Sequence, residues 1–431
     1  MSIVAMKFGG TSVADADRIR AAARRAINSR KAGHQVVMVV SAMGGTTDHL
    51  VSLAAQIADN PPKREMDQLL ATGEQVTISL MAMAMEAMGC PAISFTAGQI
   101  GIITDDVHTK AKIKSIDVRR LREALDAGRI AIVAGFQGVT EQGATTTLGR
   151  GGSNVTLVAI AAALGAEVCE NYTDVDGIFS ADPRLVPNAR KIDVISYDEM
   201  MELASLGASV LHNRAVEFAK KYDVPLHVRN SQNTRKGTMI VAETETMERV
   251  VVSGVALKDK LARVTLRNVP HHPGLAASLF QTIATNGIIV DDIIQTIADN
   301  KKATIAFTLE LAELPETRKV IEHLSRDLRC EVTFEDHLAK VSAVGMGMRI
   351  HTGVAQRMFA ALAAGKVNIQ NITTSEIKIS VLIDRSQARQ ALRLVHDAFE
   401  LGKAPVRAVG KTRAKKTVKK ALGKSARKPK R

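Results

Sequence analysis

The stretch TTTLGRGGSNVTLVAIAAALGAEVCENYTDVDGIFSADPR, residues 145–184, decides the fold of this chain. Its glycine-rich turn, LGRGGSN at 148–154, leads directly into an apolar helical pattern. Such a turn exposes backbone N–H groups that suit an anion. The polar run NYTDVDG at 171–177 then ends the next predicted strand. Together they indicate a phosphate-bearing ligand, although a glycine turn before a helix is by itself common in α/β proteins.

The composition restricts the classes of protein to consider. A chain of 431 residues predicts two or three domains. The absence of Trp and the presence of only three Tyr argue against a carbohydrate-binding or single-strand stacking surface. Cys90, Cys169 and Cys330 are odd in number and far apart, which predicts a reducing cytoplasm and neither a disulfide framework nor a zinc site. We expect no signal peptide and no membrane-spanning helix.

The net charge of +14 comes mainly from the end of the chain. Residues 411–431 carry eleven Lys and Arg and no acid, and the rest of the chain has 47 basic and 44 acidic residues. We predict a disordered basic tail over 403–431. It would be a solvated appendage or, alternatively, a weak electrostatic contact for nucleic acid or anionic lipid.

Strands and helices alternate over residues 1–245. Ile3–Phe8 predicts a buried strand, 15–31 an amphipathic helix and 35–41 a second buried strand. This alternation indicates an α/β layer sandwich with ligands at the carboxyl ends of its strands. Lys7 stands at such an end, before two glycines, where its ammonium suits a phosphate. A snorkelling lysine beside an ordinary turn is the alternative.

Further strands are expected at 92–96 and 130–137, and the triplet GEQ at 73–75 is expected to open a helix. A carboxylate in a first helical turn, here that of Glu74, usually only compensates the helix dipole.

Residues beyond 261 contain an internal repeat. With an offset of 79 residues, four positions recur: Gly274 as Gly353, Phe280 as Phe359, Ile288 as Val367 and Val290 as Ile369. Each copy predicts strand, glycine turn, helix, two strands and helix, which indicates paired ferredoxin-like modules. A duplicated small module behind a catalytic domain more often senses a ligand than performs chemistry.

Several separate motifs share one family pattern. They are KFGGTS at 7–12, SAMG at 41–44 with Thr47 and Asp48, GEQ at 73–75, GRGGS at 149–153, TD at 173–174, DPR at 182–184 and TSEIKIS at 374–380. Together they closely resemble the aspartate kinases of the amino-acid-kinase superfamily, over roughly residues 1–402. The resemblance implies a three-layer α/β/α amino-acid-kinase-like domain followed by two ferredoxin-like βαββαβ (ACT) modules. The expected limits are 1–245 for the catalytic domain, 246–261 for a linker, 262–335 and 336–402 for the ACT modules, and 403–431 for the tail.

The activity that the resemblance implies is ATP-dependent phosphorylation of the β-carboxylate of L-aspartate, the first step toward lysine, threonine, methionine and diaminopimelate. ATP with Mg²⁺ would be the phosphoryl donor, and no separate protein metal site is expected. The implied catalytic residues are Lys7 and Asn154. The implied ATP-binding residues are Lys7, Phe8, Gly9, Gly10, Ser41, Thr173, Asp174, Phe179 and Arg184. The implied aspartate-binding residues are Thr47, Glu74, Arg150, Gly151, Gly152 and Ser153.

The resemblance also implies feedback control by lysine, threonine or both, in a homo-oligomer joined through ACT modules. The matching effector positions are His271, Gly274, Ala276, Gln295, Asn368 and Ile369. Modules that only dimerise are the alternative. Some members make a shorter subunit from an internal start, for which Met247 is placed suitably.

Asn154 departs from the family pattern, which usually has an acid at this position. An amide there keeps the shape and loses a charge, and a lost charge-assisted hydrogen bond is worth roughly 1.5–3 kcal/mol. We therefore expect a slowed kinase. The alternative is a weakened paralogue that acts mainly as an amino-acid-sensing regulatory subunit.

Overall fold

The computed structural model describes residues 1–207, 211–244, 250–297, 302–349 and 351–403. The predicted internal start at Met247 and the predicted tail after Lys403 lie outside the described residues.

The strands among these residues follow the predicted apolar runs. In chain order they are β1 (Ile3–Phe8), β2 (Gln35–Val40), β3 (Ala92–Phe95), β4 (Ile102–Thr104), β5 (Ile113–Ile116), β6 (Ile130–Ala134), β7 (Gln137–Val139), β8 (Thr145–Thr147), β9 (Val168–Thr173), β10 (Val194–Ser196), β11 (Leu226–Asn230), β12 (Thr238–Val241), β13 (Gly254–Pro270), β14 (Ile293–Ile297), β15 (Lys302–Glu310), β16 (Glu331–Val344), β17 (Ile369–Thr374) and β18 (Lys378–Asp384).

The helices connect these strands. They are α1 (Ala16–Lys31), α2 (Thr46–Ile57), α3 (Lys63–Ala87), α4 (Arg119–Asp126), α5 (Gly152–Leu164), α6 (Tyr197–Ser205), α7 (Asn213–Lys221), α8 (Leu275–Thr285), α9 (Leu314–Leu328), α10 (Val354–Ala364) and α11 (Ala388–Ala398).

The first domain is built on a sheet of order β10-β12-β11-β9-β1-β2-β6-β3, in which β11 through β3 run parallel. One face packs on α1 and α3, and the other packs on α4, α5 and α7. Side chains alternate along β1 accordingly: Val4, Met6 and Phe8 face α1, whereas Ile3 and Ala5 face α5. This is the predicted three-layer α/β/α domain.

Two features of this domain differ from the sequence-based expectation. Strands β4, β5, β7 and β8 form a separate small sheet. Helix α3 runs through the GEQ triplet instead of starting there. Gly73 has a packing role in the middle of that helix, since a Cβ atom at this position would lie 2.9 Å from the Cβ of Ala42. The glycine lets α3 approach the turn after β2.

The second region is one six-stranded antiparallel sheet of order β14-β15-β13-β16-β18-β17. The long strand β13 serves both halves of it: residues 254–258 pair with the end of β16, whereas 261–270 pair with β15 and with the start of β16. Helices α8 and α9 cover one half, and α10 and α11 cover the other. Gly274 and Gly353 precede α8 and α10 with φ values of 93° and 85°. The predicted repeat is therefore a pair of ferredoxin-like modules.

Candidate active site

The turns after neighbouring parallel strands meet at one edge of the large sheet. Ser41 N donates to Phe8 O at 3.1 Å, and Gly44 N donates to Gly10 O at 3.1 Å. Gly10 must be glycine, because a Cβ atom there would lie 2.9 Å from the carbonyl oxygen of Ala42. The structure thus brings the predicted phosphate residues of the first two turns together.

The N-terminus of α5 lies over the same edge. Gly149 and Gly151 turn the chain into the helix with φ values of 74° and 75°, which favour glycine. Ser153 packs against Gly135, where a Cβ atom would lie 2.8 Å from the Ser153 side chain. The helix therefore presents its positive N-terminal end to the turn after β6, which a 3.0 Å hydrogen bond from Gly135 N to Val40 O joins to the end of β2.

Lys7 and Asn154 face this region from the sheet and from the helix. Lys7 is half-buried at the end of β1, and burial lowers the pKa of its ammonium to about 8. Asn154 lies in the first turn of α5, is 9% exposed, and its Oδ1 has no hydrogen-bond partner. A buried amide oxygen without a partner is costly, so this position is suited to a polar ligand or an ammonium.

Glu74 is a buried carboxylate with one oxygen unused. Its Oε1 accepts a hydrogen bond from Ala42 N at 3.1 Å, and its Oε2 has no partner. Burial raises the pKa of this carboxyl to about 7. A cation placed against Oε2 would stabilise the charged form. The carboxylate does not compensate the helix dipole, because it lies in the middle of α3 and not in its first turn.

Two predicted aspartate-binding residues lie nearer to solvent. Thr47 is half-buried in the first turn of α2, and Arg150 is exposed in the turn before α5. His212 packs behind that turn against Gly151, and burial together with Arg214 and Arg150 lowers the pKa of its imidazole.

The predicted nucleotide residues follow β9. Thr173 Oγ1 donates to Asp174 Oδ1 at 3.1 Å, and Asn230 holds the Asp174 carbonyl at 3.3 Å. Phe179 is half-buried and forms a β-bridge with Lys191. The exposed guanidinium of Arg184 pairs with Asp182 at 2.7 Å, which also holds the pKa of that carboxyl below its usual range. The Arg184 side chain therefore extends from a turn that the Asp182 carboxylate holds through the Arg184 backbone N–H.

Sequence reasoning missed a buried carboxylate that supports the α5 turn. Asp67 is fully buried in α3 and accepts from His108 Nδ1 at 2.7 Å, from Thr109 N at 3.0 Å and from Thr147 Oγ1 at 2.5 Å. The loop that it holds contacts Gly149, where a Cβ atom would lie 3.0 Å from Thr109 O. The signal that the sequence offered for Asp67 was an acidic residue on the buried face of a helix. Asn171, on β9 beside Lys7, was also missed.

The structure does not bring the predicted effector residues together within one chain. His271, Gly274 and Ala276 lie where β13 passes into α8, and Gln295 lies on the edge strand β14. Asn368 and Ile369 lie at the start of β17, which is the opposite edge strand. Five strand spacings separate the two edges, on the order of 24 Å.

No helix within the described ranges is long and apolar enough to cross a membrane. Among the same residues, no three His, Cys, Asp or Glu side chains converge as a metal site.

Comparison with known proteins places this geometry in a family. Residues 2–230 match the amino acid kinase family, and residues 341–399 match the ACT domain. The chain is 50% identical over 401 residues to the aspartokinase of Geobacillus stearothermophilus, covering 93% of this chain and 98% of that relative.

Solved structures give the same result. The crystal structure of E. coli aspartokinase III in complex with aspartate and ADP matches with a TM-score of 0.78 at 27% identity, covering 92% of this chain and 99% of the other. The structure of the same E. coli protein in complex with lysine and aspartate matches with a TM-score of 0.73 at 27% identity, covering 93% and 99%.

Proposed function

The chain belongs to the amino acid kinase family and, within it, to the aspartokinases, and on this basis we propose that it transfers the γ-phosphoryl group of ATP to the β-carboxylate of L-aspartate. The observation that carries the proposal is the convergence, at one sheet edge, of the Lys7 ammonium, the α5 N-terminus and the unused oxygen of Glu74. The Lys7 ammonium and the α5 N-terminus suit a phosphoryl group, and the Glu74 oxygen suits the α-ammonium of an amino acid.

The reaction joins two anions, so the protein must neutralise charge and align the reactants. An oxygen of the β-carboxylate attacks the γ-phosphorus, and the bond to the β-phosphate oxygen breaks to release ADP with the electron pair. The nucleophile is already ionised at pH 7, so no general base is required. Lys7 and the amide groups of Gly9, Gly10 and the first turn of α5 would stabilise charge on the transferring group.

Aspartate would lie between α2, α3 and the α5 turn. Glu74 Oε2 would accept from the α-ammonium, and Arg150 would clamp a carboxylate through its planar fork. Thr47 and the backbone of Gly151, Gly152 and Ser153 would complete this site. The nucleotide would lie against Ser41, Thr173, Asp174, Phe179 and Arg184. The side chain of Phe8, another predicted ATP residue, is instead part of the core on the α1 side, where it is fully buried and stacks on Tyr172 with ring centroids 4.5 Å apart.

Mg²⁺ is expected to bind together with ATP. Magnesium usually takes one or two carboxylates plus substrate phosphates and water, so a dedicated cage of side chains is not required. The exposed carboxylate of Asp174, at the end of β9, fits one such ligand. When bound, the ion would neutralise phosphate charge.

The second region has two edge strands, β14 and β17, and we expect its regulatory role to depend on them. Ile293 and Ile297 on β14 and Ile372 on β17 are 51%, 60% and 46% exposed. Exposed apolar edge strands favour pairing with another chain. We propose that two copies join there, so that the separated effector residues of β14 and β17 come together across the interface. Lysine is the first candidate effector, because the E. coli relative was crystallised with it; threonine is the second.

Residues 1–245 would then carry catalysis and 262–402 sensing, in a cytoplasmic enzyme whose free cysteines, Cys90, Cys169 and Cys330, suit a reducing compartment. A weakened paralogue that serves as a sensing subunit is the second candidate, favoured by the missing acid at Asn154. Nucleic-acid binding through the tail has no further support.

A coupled assay of ADP release, with ATP, Mg²⁺ and either L-aspartate or L-glutamate, tests the proposal. We expect ADP release that depends on aspartate and is at least tenfold slower with glutamate. Adding lysine and threonine, singly and together, tests the regulation. ADP release without any dependence on aspartate would reject the proposed kinase activity, and no response to either amino acid would reject feedback control by these two.

A further inference from the structure

Asn171 lies next to Lys7 in the large sheet. The two residues are in register across the parallel pair β1 and β9. Ile3 and Ala5, which alternate with Lys7 along β1, pack in the hydrophobic cluster that contains α5. Cys169, two residues before Asn171, packs in the same cluster, whereas Tyr172 packs on the opposite face. Both side chains therefore project to the α5 side of the sheet.

Asn171 and Asn154 on this side each have a buried amide oxygen without a partner. Asn171 is 1% exposed and Asn154 is 9% exposed, and the Oδ1 atom of each forms no hydrogen bond. Buried acceptors without partners are rare because they lose hydration without replacement. Two of them beside the same lysine, one on the neighbouring strand and one on the helix above, indicate a shared donor.

The Lys7 ammonium is the obvious donor. Within the described residues, no hydrogen bond or ion pair occupies its Nζ atom, and a Cβ atom on Gly9 would lie 3.3 Å from it. An ammonium has three N–H groups and a flexible stem, so small rotations can direct it between acceptors. Contacts of this kind are often loose before the substrates bind.

Among the described residues, no charged side chain pairs with Lys7. Helix α5 and strand β2 contain no ionisable residue. On β9, Glu170 bonds Tyr172 and Arg229 on the opposite face. Glu74 bonds Ala42 N through Oε1 and keeps Oε2 free, but burial alone accounts for the lowered pKa of Lys7. Asp174 is exposed beyond the end of β9, and Arg150 is exposed in the turn before α5. The amides of Asn171 and Asn154 are thus the candidate acceptors for this ammonium.

We propose that Asn171 is a positioning residue for Lys7, whose Nζ donates to the Oδ1 atoms of Asn171 and Asn154 and so directs its third N–H toward the transferring phosphoryl group. The phosphoryl part rests on the proposed function, whereas the contact with Lys7 does not. Asn171 supplies a second acceptor at a site where Asn154 lacks the charge of an acid. It acts through Lys7 and does not itself contact the reacting atoms.

Three variants distinguish a role of Asn171 in positioning Lys7 from a role in packing alone. Asn171→Leu keeps the size and removes the acceptor, and Asn171→Asp adds a charge. Thr308→Val is the matched control, because Thr308 is also 1% exposed with an unpartnered hydroxyl but lies on β15, in the other sheet. Two readouts apply: steady-state kinetics across pH, and the Lys7 pKa from NMR of ¹³C-labelled lysine, assigned with Lys7→Arg.

We expect Asn171→Leu to lower kcat about tenfold, with both KM values changed less than about twofold, and to lower the Lys7 pKa. Asn171→Asp should raise that pKa by about one pH unit or more, because a carboxylate stabilises the ammonium. Thr308→Val should change neither quantity. If Asn171→Leu does not fold, Asn171→Ser, which keeps an oxygen, should give a smaller change in the same direction.

An unchanged Lys7 pKa in both Asn171→Leu and Asn171→Asp would overturn the proposal, as would a change in thermal stability alone. If the chain shows no aspartate-dependent turnover, the kinase proposal fails. The NMR titration still decides whether Asn171 and Lys7 interact.

Discussion

Nε2 of His396 lies 3.0 Å from Oγ of Ser180, and this contact joins the second ferredoxin-like module to the predicted nucleotide loop. His396 is fully buried on α11, and burial lowers the pKa of its imidazole. Ser180 Oγ accepts from Arg190 N at 2.9 Å, which leaves its hydroxyl hydrogen free to donate to the ring. Ser180 O also accepts from Val255 N at 2.7 Å, on β13. The residue after Phe179 is thus held by two elements of the sensing region.

Replacing His396 should weaken this connection. In His396→Ala we expect KM for ATP to rise about three- to tenfold, the size of one lost hydrogen bond, with KM for aspartate changed less than twofold. The concentration of lysine or threonine that gives half-maximal inhibition should shift in the same variant. His323→Ala, at an exposed histidine on α9, is the control. Equal kinetics in the two variants would show that the contact carries no signal.

Glu74→Gln should weaken aspartate binding and stabilise the free protein. Loss of the charge toward an α-ammonium should raise KM for aspartate roughly ten- to a hundredfold, since hydrogen bonds to charged groups are worth about 1.5–3 kcal/mol. The measurement is initial rate against aspartate concentration at saturating ATP. A KM for aspartate unchanged by the substitution would contradict the role given to Glu74.

The sign of the stability effect follows from the pKa of the Glu74 carboxyl. Burial raises it from an ordinary 4.5 to about 7, so the folded state binds this proton more tightly than the unfolded state. This carboxyl therefore costs stability progressively as pH rises from 4.5 to about 7, and the full cost remains above that range. Glu74→Gln should raise the free energy of unfolding at pH 8 by about 1–3 kcal/mol, and the gain should vanish near pH 4. Chemical denaturation at both pH values measures it.

Asn154→Asp should accelerate the reaction. A carboxylate there would bond the Lys7 ammonium with charge assistance, so kcat should rise about ten- to a hundredfold. Burial opposes ionisation of the new acid, and the gain should therefore shrink as pH falls through the pKa of that acid. Turnover equal to that of the original chain across pH 7–9 would reject the expectation that the amide slows the reaction.

The local elements were accessible to sequence reasoning because their signals are local. The apolar run of β1, the glycine turn before α5 and the spacing between Gly274 and Gly353 each lie within a few residues or a simple repeat. The interior position of Gly73 in α3 was not accessible, since its cause is the approach of Ala42 from a distant turn.

Contacts across the sheet explain the other omissions. The proposed role of Asn171 depends on its register with Lys7. That register results from the pairing of two strands more than 160 residues apart in the sequence. Asp67 holds a loop that begins some 40 residues later. The sequence pattern within β9 or α3 does not reveal either contact partner. In the sequence, Asn171 and Asp67 therefore look like ordinary polar residues.

If two copies pair through their edge strands, as proposed, a charge on one of these strands should separate them. Ile297 is 60% exposed on β14. In Ile297→Lys a lysine would face the partner strand and oppose pairing. We expect light scattering to show a smaller species, with inhibition by lysine or threonine lost and basal kcat within about twofold. An unchanged oligomer in Ile297→Lys would contradict an interface at β14. The control is Val194→Lys, at another exposed apolar residue, which should leave the assembly intact.

Trapping the product tests the central claim most directly. The chain is incubated with ATP, Mg²⁺, L-aspartate and hydroxylamine, which converts an acyl phosphate into a hydroxamate, and the products are identified by mass spectrometry. Phosphorylation of the β-carboxylate predicts β-aspartyl hydroxamate in equal amount to ADP, with little hydroxamate from glutamate. ADP without hydroxamate, or no product from either the chain or Asn154→Asp, would contradict it.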